Sequence, residues 1–153
     1  MGYEVEIKQV GSQPTVSIHT SVRAPERSTT LTEVLPQVWK YLRARGIQPA
    51  GPPFIRYHDI SAERMDIEAG MPVAEPIEGE GRIQAGELPE GEAAVTWHIG
   101  PYETITEAFQ AIEAWARDHG REVAGAPWEV YWTNPGEVPN PAEWKTEVLW
   151  PVR

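Results

Sequence analysis

Leu42-Arg43-Ala44-Arg45-Gly46, followed by Gly51-Pro52-Pro53-Phe54-Ile55-Arg56-Tyr57, returns later in the chain. The second occurrence reads Ala116-Arg117-Asp118-His119-Gly120, then Gly125-Ala126-Pro127-Trp128-Glu129-Val130-Tyr131. The offset is 74 residues without a gap, 42 to 116 and 57 to 131. Upstream, Thr30-Leu31-Thr32-Glu33 lies over Thr104-Ile105-Thr106-Glu107 at the same offset. Downstream, after a shift of five, Asp66-Ile67-Glu68-Ala69-Gly70-Met71-Pro72-Val73 lies over Lys145-Thr146-Glu147-Val148-Leu149-Trp150-Pro151-Val152. A long segment occurring twice predicts two related supersecondary units around one core, not a solenoid.

Read outward from the repeat, each half gives the same plan. Tyr3, Val5 and Ile7 alternate with Glu4, Glu6 and Lys8 as a half-buried strand. After the turn Gly11-Ser12-Gln13-Pro14, the alternation of Val16, Ile18 and Thr20 runs to about Val22, which predicts a hairpin. Arg23 to Thr29 reads as a polar loop. Thr30-x-x-Glu33 has the form of a capping box, and Leu31, Val34, Leu35, Val38, Trp39 and Leu42 share one helical face. Pro36 interrupts that face, so the helix either begins later or bends in its first turn. Gly46 is expected to close it in the left-handed conformation. Pro53 to His58 reads as a strand, Asp59 to Arg64 as a turn and Met65 to Val73 as a strand.

Glu75-Pro76-Ile77-Glu78-Gly79-Glu80-Gly81 is acidic and rich in Gly and Pro, a connector. Beyond it, Arg82 to Glu87 and Ala93 to Ile99 are strands around the turn Leu88-Pro89-Glu90-Gly91. Thr104-x-x-Glu107 caps a second helix, with Ile105, Ala108, Phe109, Ile112 and Trp115 inward and Gly120 at its end. Trp128 to Thr133 and Trp144 to Trp150 are the last strands, joined by a Pro-rich loop from Asn134 to Pro141. The sum is α+β: a ββαββ unit twice, eight strands and two helices. It makes one domain of residues 1–153, with half-repeats 1–74 and 82–153 and a connector at 75–81.

At 153 residues, 41% hydrophobic and 24% charged, the chain can bury a proper core. It has no cysteine, which excludes disulfides and thiolate chemistry. No apolar run is long enough to span a membrane, and Met1-Gly2-Tyr3-Glu4-Val5-Glu6 has no signal-peptide character, so a cytoplasmic protein is expected. The formal net charge of −10 disfavours direct nucleic-acid binding.

No Walker-type loop and no Gly-x-Ser-x-Gly elbow is present. The histidines, His19, His58, His98 and His119, lack zinc-site spacing, so no metal or cofactor is expected. His19 and His98 fall at matching strand positions. Glu68 and Glu147 stand mid-strand at matching positions of the repeat. Alternation allows each to face solvent or a pocket. A pocket-facing carboxylate would want a cation or a proton. Tyr57, Trp97, Tyr102, Tyr131, Trp132 and Trp144 are candidate walls, since rings beside a carboxylate suit an aromatic cation.

His98-Ile99-Gly100-Pro101-Tyr102 leading into a helix, Trp115, Gly120, Trp128-Glu129-Val130-Tyr131, and Thr146-Glu147 ahead of Pro151-Val152 form an ordered set. Together they resemble the GyrI-like small-molecule-binding domain, the fold that also serves AraC-type and MerR-type multidrug regulators as effector-binding domain. The resemblance covers essentially the whole chain. It implies an SHS2-type pair of units with a ligand pocket between the halves. It also implies sensing or sequestration of bulky amphipathic, often cationic aromatic molecules by aromatic walls and a central glutamate. By position Glu147 matches that glutamate and Tyr102 and Tyr131 match aromatic positions, while Glu68 matches less directly.

No helix-turn-helix segment accompanies the domain, so a stand-alone copy is expected, as monomer or homodimer, without DNA binding of its own. Two alternatives follow from the same resemblance. Some relatives resemble hydrolases that open the cyclopropane ring of DNA-alkylating natural products. There Glu147 would serve as general base or water-positioner and Tyr131 or Tyr102 as donor to the leaving group. Others resemble gyrase inhibitors, which would make a protein such as gyrase the partner.

Overall fold

Alternating and helical periodicities produce the expected element types in a computed structural model, which describes residues 3–23, 26–60, 63–133 and 137–153. In order these are β1 (Glu6–Val10), β2 (Gln13–Arg23), α1 (Arg27–Ala44), β3 (Phe54–Ile60) and β4 (Arg64–Pro72). There follow β5 (Ile83–Leu88), β6 (Gly91–Ile99), α2 (Thr106–Asp118), β7 (Trp128–Tyr131) and β8 (Lys145–Pro151). Among the described residues, the ladders within each of the two units named below are antiparallel, and the class is α+β. Part of the expected Pro-rich loop, 134–136, lies outside the described residues. Among the described residues no helix is long and apolar enough to cross a membrane.

The chain divides into two compact units: a contiguous one, Gly11–Glu90, and a composite one of Met1–Val10 with Gly91–Arg153. In the composite unit the strand order is β1-β6-β8-β7, and in the contiguous unit β5-β2-β4-β3. The hairpin expected of β1 and β2 therefore does not form, and β5 and β6, read as strands around one turn, take other partners. β1 pairs with β6, Glu6 opposite Val95, and β5 pairs with β2, Ile83 opposite Ile18. Alternation decides which face of a strand is buried, but any neighbour of matching pattern can supply the ladder. Each compact unit thus differs from the half-repeats 1–74 and 82–153 by one edge strand.

Among the described residues each unit has one α-helix. In the composite unit Ile105, Ala108 and Ile112 pack on Ala94 of β6 and Val148 of β8, with Phe109, Trp115 and Trp150 at the margin. In the contiguous unit Val34, Val38 and Leu42 are buried on α1, which packs on β2 and β4. The apolar face of those strands carries Val16 opposite Met71 and Ile18 opposite Ala69. Trp39, expected in the same stripe, is exposed. The connector is tied back to α1: the Tyr41 hydroxyl donates to the Glu78 carbonyl at 2.6 Å, and Arg45 meets Glu80 at 3.1 Å.

Neither capping box forms. α1 begins at Arg27, which places Thr30 inside the helix, and it runs on through Pro36. Ahead of α2, a 3₁₀ turn over Tyr102–Thr104 takes up Thr104, whose hydroxyl donates to the Pro101 carbonyl at 3.1 Å. The C-termini agree with the sequence reading. Gly46 and Gly120 have φ of 69° and 68°. At the first, Ile47 N–H donates to the Leu42 carbonyl and Gly46 N–H to Arg43. At the second, Arg121 N–H donates to Ala116 and Gly120 N–H to Arg117. These are two Schellman motifs, which satisfy carbonyls the helix leaves open. A Cβ at either glycine would meet nothing within 4 Å. Gly46→Ala and Gly120→Ala are therefore expected to cost about 1 kcal/mol or more each through backbone conformation alone. Denaturant melts check this, and unchanged midpoints would contradict the capping account.

Candidate functional site

Residues directly opposite one another in antiparallel strands share a face. Glu147 on β8 stands opposite Trp97 on β6 and Val130 on β7. Its neighbour Val148 contributes to the core under α2, so Glu147 points away from the helix. The residue is only 9% exposed. One carboxylate oxygen, Oε1, accepts the indole N–H of Trp132 at 3.0 Å, and the other lies 3.4 Å from Lys8 Nζ. The rings of Trp97 and Trp132 lie 6.1 Å apart at a tilt of 48°. They remain 39% and 53% exposed. A buried carboxylate beside two exposed indoles is an arrangement that core packing does not require.

Tyr131 goes elsewhere. It stands opposite Thr146, one residue from Glu147 and hence on the other face of the sheet. Its hydroxyl donates to Glu129 Oε2 at 2.6 Å, and Glu129 is fully buried. The Tyr102 ring meets Tyr131 edge-on at 5.3 Å and Trp144 at 4.9 Å, while the Trp144 indole donates to the Val138 carbonyl. The structure therefore brings Glu147, Trp97 and Trp132 together, and separately Tyr102, Tyr131 and Trp144 with Glu129. Sequence reasoning passed over Glu129. Its signal was the alternation Trp128-Glu129-Val130-Tyr131, which puts Glu129 and Tyr131 on one face.

His98 fixes the 3₁₀ turn that carries Tyr102. The Pro101 carbonyl can only accept, so His98 Nε2 donates to it at 2.8 Å, and Nδ1 accepts from the Tyr3 hydroxyl at 2.9 Å. Burial, with a smaller contribution from the Glu107 carboxylate, raises the Tyr3 pKa above its ordinary value.

Glu68 on β4 of the contiguous unit is 4% exposed and stands opposite His19 on β2 and Arg56 on β3. Oε2 accepts from the Ser17 hydroxyl at 2.7 Å. Oε1 lies 2.8 Å from His58 Nε2 and 3.6 Å from His19 Nε2. The two imidazoles stack at 5.3 Å, 18° from parallel. The ladder between β3 and β4 shifts register between Tyr57 and Asp59, which leaves His58 as the extra residue. Tyr57 is opposite Ile67 and buried, so it does not join Glu68. His19, His58 and Asp66 line an open pocket of about 340 Å³ with Thr20 and Ile67. The match drawn between His19 and His98 fails by one residue. His19 faces a glutamate across its ladder, as Trp97 does, whereas His98 faces Thr146.

The sequence profile of the GyrI-like small molecule binding domain matches residues 3–153. Among solved structures, the EcmrR C-terminal domain is 25% identical with a TM-score of 0.88, covering 100% of this chain and 99% of its own. The EcmrR–DNA complex matches at 25% identity and TM-score 0.86 over 99% of this chain, which spans 57% of that EcmrR chain. SAV2435 bound to tetraphenylphosphonium is 10% identical, TM-score 0.67, over 98% of this chain and 94% of its own. A hydrolase encoded by lin2189 from Listeria innocua is 14% identical, TM-score 0.63, over 99% and 93%. At those lower identities the likeness is one of fold alone. No curated protein matches.

Proposed function

We propose, since the chain belongs to the GyrI-like small-molecule-binding domain family, that it binds bulky amphipathic aromatic cations for sensing or sequestration, with Glu147 as the charge that selects them. The observation that carries this is the Glu147 carboxylate, buried yet bonded to Trp132 and opposite Trp97, with both indoles open to solvent. A carboxylate held out of water is costly unless an opposite charge meets it. Lys8 supplies that charge in the free protein, from a partly exposed side chain. An incoming aromatic cation could take its place while Lys8 returns to water, and the indole faces would add cation–π attraction. The tetraphenylphosphonium in the SAV2435 structure supports this class of ligand, and the EcmrR structures support a sensing role.

Tryptophan fluorescence tests the reading. Titration with a lipophilic aromatic cation such as tetraphenylphosphonium should quench emission saturably. No saturable quenching, or equal affinity for a neutral analogue of the same shape, would overturn it.

The Tyr131–Glu129 bond favours a second reading, hydrolysis. A buried carboxylate in short contact with a phenol is the kind of pair that can position water and donate a proton to a leaving group. Because Tyr131 and Glu147 face opposite ways, Glu129 replaces Glu147 in this role. A cyclopropane-bearing alkylator should then give ring-opened product over many turnovers, and Tyr131→Phe and Glu129→Gln should each abolish it. Stoichiometric loss of the compound without turnover would point to sequestration instead.

A further inference from the structure

We propose that His19, His58 and Glu68 form a binding site for a divalent transition-metal ion of the zinc type. The ligand atoms of the three residues all lie within 4.8 Å of one another. Donors around a tetrahedral zinc, each at about 2.0–2.2 Å from the metal, are roughly 3.3 Å apart. The two nitrogen–oxygen separations, 2.8 and 3.6 Å, bracket that spacing.

A hydrogen bond from His58 accounts for one imidazole at Oε1. It leaves unexplained why a second imidazole, His19, stacks on the first and turns its own Nε2 towards the same oxygen at 3.6 Å, beyond hydrogen-bond length. A cation between the three atoms would engage both rings at once.

The surroundings suit an ion. Ser17 holds Oε2 at 2.7 Å and so presents Oε1 to the histidines, the outer bond that orients a ligating carboxylate. The bulge at His58 aims its ring into the site. The adjoining pocket is open and carries Asp66, so an ion has an entry path and a further oxygen donor nearby. Two imidazoles and one carboxylate favour zinc, cobalt or nickel over calcium or magnesium, which prefer all-oxygen shells. Coordination requires the lone pair of His58 Nε2, so the proton it shares with Glu68 moves to Nδ1 or to solvent.

The test uses the full chain without a histidine tag. Co²⁺ is titrated against visible absorbance and Zn²⁺ by calorimetry, with thermal melts alongside. One ion per chain should bind at micromolar concentration and raise the melting temperature. His58→Ala and Glu68→Gln should each weaken binding roughly tenfold or more, and His19→Gln, on a half-exposed ring, should do so without loss of fold. His119→Ala, an exposed histidine elsewhere, should change nothing. Absence of binding at millimolar Co²⁺, or binding that His19→Gln and His58→Ala leave intact, would overturn the proposal.

Discussion

Glu147→Gln is expected to lower affinity for a lipophilic aromatic cation by roughly ten- to a hundred-fold while leaving a neutral analogue of the same shape almost unaffected. Glutamine keeps the size of the side chain, and its amide oxygen can still accept the Trp132 indole N–H that Glu147 accepts at 3.0 Å. What it loses is the charge, and interactions with a charged group are worth about 1.5–3 kcal/mol. Lys8 provides the complementary case. A partly exposed ion pair is worth at most about 1 kcal/mol. Removing the competitor by Lys8→Met should therefore tighten cation binding by up to about fivefold. Both effects are read from fluorescence titrations. An equal loss of both ligands in Glu147→Gln would mean that the residue supports the fold. No change in either would place the cation elsewhere.

Gly70→Ala should destabilise the protein by about 3 kcal/mol or more, far beyond the helix-terminal glycines. Gly70 lies opposite Ser17 on the neighbouring strand. A Cβ there would stand 2.1 Å from the Val16 carbonyl oxygen and 2.6 Å from Ser17 Cβ. The obstacle is backbone on β2, which cannot yield without parting the ladder between β2 and β4. Because Ser17 also bonds Glu68, the same displacement should disturb that carboxylate. Gly51→Ala is the control: its Cβ would meet Pro72 Cγ at an ordinary 3.4 Å. Chemical denaturation decides the matter, and a wild-type midpoint for Gly70→Ala would refute the close approach.

The elements of the fold were legible because the physics that specifies them is local. Gly46 and Gly120 announced two helix ends, since only glycine takes that backbone conformation without cost. Strand partners were not legible. Ile7 alternates equally well beside β2 or β6, and nothing in Gly11-Ser12 selects between them. Threonine with a glutamate three residues on misled twice, because the chain enters each helix before or through those residues. The Glu147 site was half legible. Its mid-strand position was visible, but whether it faced the helix depended on a register that only Trp97 and Val130 reveal. The Glu68 cluster was hidden further, because a bulge breaks the alternation by which His58 would have been placed.

The exchange of edge strands gives the two units different folding histories. Gly11–Glu90 is a single run of chain, so the β5-β2-β4-β3 ladders within it can form as soon as it leaves the ribosome. β1 is made first but must remain unpaired until Val95, its partner across the ladder, has been synthesised. Closing so long a loop raises the contact order of the composite unit, and contact order slows folding. β1 is therefore made before the other strands of its unit and is among the last of them to find its place.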